Sequence, residues 1–148
     1  MVVVPNEIFF AEVEHLLSEG NDVFLVVFGN SMRPLMRSGR TKVMLRRCDA
    51  GELRCGDVVL FRYRGRHTLH RIVKRRDDEF LLAGDGNYRG FETCRGEDVV
   101  ARVVKVVSYG GREVLCDSRL WRWSSGCWLW LHPFVRRCIL GVMRRLGI

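Results

Sequence analysis

A chain of 148 residues and 17.2 kDa has room for one compact core and little more. Apolar residues make up 47% and charged residues 28%, which excludes a disordered chain. No apolar run reaches the roughly 18 residues of a membrane-spanning helix. The net charge is +8 and the pI about 9.7, yet only Lys42, Lys74 and Lys105 among the 25 basic residues are lysines. Candidates for a catalytic amine are therefore few.

The start, Met1-Val2-Val3-Val4-Pro5-Asn6-Glu7, has no basic region before an apolar stretch, so no signal peptide is expected. Residues 6–18 place Ile8, Phe9, Val13, Leu16 and Leu17 on one face of a helix, with Asn6 as a plausible N-cap. Residues 22–28 (DVFLVVF) read as a strand that turns at Gly29-Asn30. Alternating or β-branched runs predict further strands over 41–47, 57–63, 67–74, 79–83 and 98–109. A Gly110-Gly111 hairpin leads into a last strand over 112–116. The expected architecture is mostly β and antiparallel, with a helix at each end. Six cysteines (48, 55, 94, 116, 127, 138) form no C-x-x-C, so reduced structural thiols are expected rather than a zinc ribbon.

The chain divides by composition at 118. Residues 1–118, including the helix 6–18, form the β domain, and 119–148 form a basic, tryptophan-rich segment. All four tryptophans (121, 123, 128, 130) lie in that segment, and no acidic residue follows Asp117. On a helix, Leu131, Val135, Cys138, Ile139, Val142, Met143 and Leu146 share one stripe opposite the arginines. That pattern suits an interfacial helix on an anionic membrane surface, so a peripheral membrane or cytoplasmic location is expected. Only about 20 residues precede the first strand, too few for a helix-turn-helix domain, and nucleic-acid binding is not expected.

Three short segments carry possible chemistry. Ser31 follows the first strand across Gly29-Asn30, a turn that can expose its hydroxyl and N–H, and Pro34 stiffens the segment after it. The N–H groups around Asn30, Ser31 and Met32 are candidate oxyanion or substrate donors. His70 is a candidate base for Ser31. His67 lies three residues away on the same strand, hence on the opposite face, so the pair is not expected to hold a metal. His15 and His132 read as structural or interfacial. Gly84-Asp85-Gly86-Asn87 closes a strand, and Asp85 could orient an imidazole.

Taken in order, Gly29-Asn30-Ser31-Met32-Arg33-Pro34, Gly56-Asp57-Val58-Val59, His70-Arg71-Ile72-Val73 and Gly84-Asp85-Gly86-Asn87 resemble the boxes of the S24/S26 serine peptidases. That group contains type I signal peptidases and the peptidase domains of self-cleaving repressors, and the resemblance covers about residues 22–108. It implies an S24/S26-type β fold, no cofactor, and a peptide or protein substrate with small residues before the scissile bond. It maps the serine of S-M-x-P onto Ser31 as nucleophile. The H-R-I at 70–72 is similar to the Ser-His branch of microsomal and archaeal type, in which histidine replaces the lysine base. Asp85 is the first choice for orienting His70, with Glu92 as a looser match to the further acidic residue of the family. The expected activity is a serine endopeptidase that cleaves a signal or leader peptide. The alternative is a catalytically inactive peptide-binding module at a membrane surface.

Overall fold

The computed structural model describes residues 6–87, 90–131 and 133–147. In chain order the elements are α1 (Asn6–Ser18), β1 (Val23–Val26), β2 (Lys42–Arg46), β3 (Val58–Tyr63), β4 (Arg66–Arg76) and β5 (Glu79–Ala83). After these come β6 (Glu92–Arg95), β7 (Val99–Val107), β8 (Glu113–Leu115), α2 (Arg119–Trp130) and α3 (Pro133–Arg145). Among the described residues, eight strands form one antiparallel sheet in the order β1-β2-β7-β3-β4-β5-β6, with β8 paired to β7. The antiparallel β fold with a leading helix and a helical C-terminus is as expected.

The sheet buries side chains on both faces, which explains the unbroken apolar run in β3. Val58 and Leu60 join Val43, Leu45 and Val103 on one face, beneath Val13 and Leu17 of α1 and Trp121 of α2. Val59 and Phe61 point the other way, to Ile72, Phe80 and Leu82. His67 also fastens α1: its ring stacks on Phe10 at 4.3 Å and its Nε2 lies 2.7 Å from Glu14 Oε1.

Two features differ from the expectation. Glu92–Arg95 is a strand, too short and polar to register by alternation, and it pairs with β5. The C-terminal segment is two helices, and the first belongs to the packed body. Trp121, Ser125 and Trp128 of α2 are buried against the sheet, while α3 buries no residue fully. Ser118 caps α2 by accepting a hydrogen bond from the Trp121 N–H at 3.3 Å. The helix stops at Leu131, whose backbone is extended, and Pro133 opens α3, where its missing N–H costs nothing. The composition boundary at 118 thus does not separate α2 from the β domain. His132 lies outside the described residues. Among the described residues no helix is long and apolar enough to cross a membrane.

Candidate active site

Ser31 sits in a loop pinned at its neck. The Val27 N–H donates to the Thr41 carbonyl at 2.8 Å, and the Gly39 N–H donates to the Val27 carbonyl at 2.7 Å. One step further out, the Gly29 N–H donates to Ser38 Oγ at 2.9 Å. Gly29 takes φ +90°, a conformation that side-chain-bearing residues rarely adopt. Met32 and Met36 plug the loop interior, both almost wholly buried in the core shared with α1. Met32 therefore has only its backbone to offer a substrate. Asn30 is exposed and Ser31 half-buried.

The loop docks on the turn after β5. The Gly86 N–H donates to the Ser31 carbonyl at 2.7 Å. A Cβ on Gly84 would lie 3.0 Å from Ser31 Cβ and would collide with the Ser31 carbonyl oxygen; one on Gly86 would collide with the Asn30 carbonyl oxygen. Both glycines are required because another backbone occupies the space of their side chains.

Strand register then relates this turn to His70. Arg71 is opposite Ala83 in the last pair between β4 and β5, and one further step of that register would bring Gly84, just past β5, beside His70. Paired residues share a face of the sheet. The side-chain direction of Gly84, which Ser31 fills, is thus the direction taken by His70. Leu82, two residues before Gly84, is opposite both Ile72 and Glu92, which places Glu92 on that face too. His70 Nδ1 lies 2.9 Å from Glu92 Oε2, with the imidazole buried and the carboxylate nearly so. The ring also lies 6.1 Å from that of Phe61. Among the described residues no hydrogen bond joins Ser31 Oγ to His70.

Asp85, the expected orienting residue, faces elsewhere. Its two carboxylate oxygens accept from Arg71 Nε and Nη2, both at 2.8 Å, in a fully buried pair. Arg71 Nη1 donates onward to the Gly56 carbonyl at 2.8 Å and to Ser125 Oγ at 2.6 Å. The Arg71 guanidinium stacks 5.4 Å from the Trp121 ring, and Trp128 Nε1 donates to the Asp85 carbonyl at 3.2 Å. Asp57 of the Gly56-Asp57 box is likewise bound, to the Arg54 N–H at 2.8 Å and to Arg122 Nη2 at 2.6 Å. This polar network holds α2 on the sheet and fixes the turn that supports Ser31. Adjacent residues on a strand face opposite ways, so His70 and Arg71 necessarily recruit different carboxylates.

The remaining candidates sit apart. His67, committed to Glu14, lies on the Arg71 face. Lys105 Nζ pairs with Glu113 at 3.1 Å, and Lys42 is exposed on β2. Burial pushes the thiol of Cys48 up to about 11 and those of Cys94 and Cys116 to about 12, so none of these three is a nucleophile at neutral pH. Among the described residues no cluster of His, Cys, Asp and Glu could hold a metal.

An antiparallel sheet that presents a loop serine on the same face as a carboxylate-bound histidine has the layout of a peptidase-like β domain. The chain belongs to the Peptidase S24-like family, whose model matches residues 3–104, a span containing Ser31, His70, Asp85 and Glu92. That membership makes it a peptidase-family domain. No curated protein matches the sequence.

Proposed function

We propose that the chain is a serine endopeptidase in which Ser31 is the nucleophile and His70 the general base, acting on an extended signal or leader peptide. What supports this reading is that Glu92 binds His70 Nδ1 and that the Ser31 loop docks on Gly84, one residue past the strand pair that joins Arg71, next to His70, to Ala83. A carboxylate on Nδ1 selects the tautomer with its proton there, which leaves Nε2 free to accept. Ser31 Oγ attacks the peptide carbonyl while its proton passes to Nε2, and the negative Glu92 stabilises the imidazolium that forms. The Ser31 N–H and the adjoining backbone near Asn30 and Met32 are the donors for the oxyanion. His70 then returns the proton to the leaving amine, and water, deprotonated by the same ring, releases the acyl group.

The substrate class rests on the groove beside β1. A cavity of about 640 Å³ lies on the α1 side of the sheet, which is the face opposite His70. It is lined by Phe9 and Phe10 of α1, by Phe24 and Val26 of the edge strand, by Leu60, His67 and Leu69, and by Phe28, three residues before the nucleophile. An edge strand with apolar side chains beside it suits an extended apolar peptide added as a further strand.

Cleavage of a peptide library, read by mass spectrometry, tests the assignment. Ser31→Ala and His70→Ala are each expected to lower cleavage by roughly a hundredfold or more, and Lys42→Ala to leave it unchanged. More than about a tenth of wild-type activity in either of the first two variants overturns the assignment.

A further inference from the structure

The two C-terminal helices carry exposed apolar residues. On α2 the exposed face is Leu120, Trp123, Cys127 and Trp130, at a spacing of one helical stripe, with Trp130 87% exposed. The opposite face of that helix is the one buried on the Arg71–Asp85 pair. On α3, Arg136, Ile139, Leu140 and Met143 are half-covered, whereas Val135, Cys138 and Val142, with Leu146 just past the end of the helix, form a second open stripe. Arg144 and Arg145 close α3 and are also exposed. No acidic residue follows Asp117.

We infer that α2 and α3 together form a peripheral docking surface for an anionic lipid bilayer. Charge complementarity names the partner: a segment with arginines and no carboxylate meets a negative surface. The apolar stripes make that surface a bilayer, because valine, leucine and cysteine gain nothing from a phosphate backbone but are buried at the headgroup boundary. Tryptophans at the rim of such a stripe sit at the depth where an indole keeps both its apolar ring and its N–H satisfied. The inference is independent of catalysis, since neither stripe contains a residue of the candidate site.

The test is sedimentation of the full chain with phosphatidylcholine vesicles, with and without phosphatidylglycerol. Binding is expected only with the anionic lipid and is expected to weaken with salt. Replacing Arg144 and Arg145 by glutamine should lower the partition coefficient about fivefold per residue. Trp123→Ser with Trp130→Ser should lower it by roughly tenfold or more, with unchanged circular dichroism. Ser31→Ala should bind as wild type, so failure of the catalytic reading and failure of this one are separable. Absence of vesicle binding by the wild-type chain overturns the inference. So does vesicle binding indifferent to the tryptophan pair and competed away by a soluble polyanion, which would mark a nucleic acid or an acidic protein as the partner. Should the tryptophan variant fail to fold, Val142→Ser with Leu146→Ser, on the open stripe at the C-terminal helix, measures the apolar contribution in its place and should also weaken vesicle binding.

Discussion

Replacing Arg71 by methionine keeps most of the side-chain volume and removes all the charge-assisted bonds that its guanidinium makes at the centre of the fold. The guanidinium donates to both Asp85 oxygens, to the Gly56 carbonyl and to Ser125 Oγ, all within a fully buried site. Its loss leaves a carboxylate 2% exposed with no counter-charge, together with a carbonyl and a hydroxyl deprived of their donor. Breaking a buried pair in this way costs about 3–5 kcal/mol. That is a large fraction of the roughly 5–15 kcal/mol that stabilises a domain, and at this size it lowers Tm by about 6–20 °C. Urea unfolding measures the difference directly. The double variant Arg71→Met with Asp85→Leu should recover most of the loss, because an apolar pair no longer carries an uncompensated charge. A single-variant loss below about 1 kcal/mol, or a double variant no better than the single, would refute the reading of Asp85 as a structural partner of Arg71.

Other perturbations probe the remaining parts of the site. Glu92→Gln should lower kcat with little change in stability or KM, whereas Asp85→Asn should show mainly as lost stability; steady-state kinetics paired with thermal unfolding separates the two. Gly84→Ala drives a Cβ into the Ser31 backbone and should cost about 1–3 kcal/mol along with activity, while Gly51→Ala, with open space around it, should be silent in both assays. The buried thiols set an alkaline limit. Their folded-state pKa values of about 11 for Cys48 and about 12 for Cys94 and Cys116 lie above the unfolded value of roughly 8.5. The stabilisation is complete below the unfolded value and is lost as pH climbs towards the folded values. Unfolding midpoints should therefore fall above about pH 9, and iodoacetamide at pH 8 should label the exposed Cys55, Cys127 and Cys138 in preference to the other three.

Much of the fold could be read from the sequence because its signals are local. The helix over 6–18 and most strands are dictated by periodicity and by glycine-rich turns. Glu92–Arg95 is not, since a four-residue polar strand carries too few side chains to display a period. The choice between Asp85 and Glu92 was beyond sequence alone for a different reason: it is decided by which face each occupies, and that depends on a register between distant strands. Arg71 was the available clue. An arginine inside an otherwise buried strand must find a carboxylate, and Asp85 is the one it takes. In the C-terminal segment, a stripe of apolar residues does not reveal which half has a partner. Trp121 and Trp128 cover a buried ion pair, while Trp123 and Trp130 face outward.

The central claim is that Ser31 is a nucleophile activated by His70. A fluorophosphonate probe tests it without any knowledge of the substrate, because only an activated hydroxyl attacks phosphorus at an appreciable rate. After labelling of the folded protein and proteolysis, mass spectrometry should find the adduct on Ser31 alone. It should disappear in Ser31→Ala and fall sharply in His70→Ala. Unlabelled Ser31, an adduct on another residue, or labelling that persists undiminished in His70→Ala would contradict the assignment.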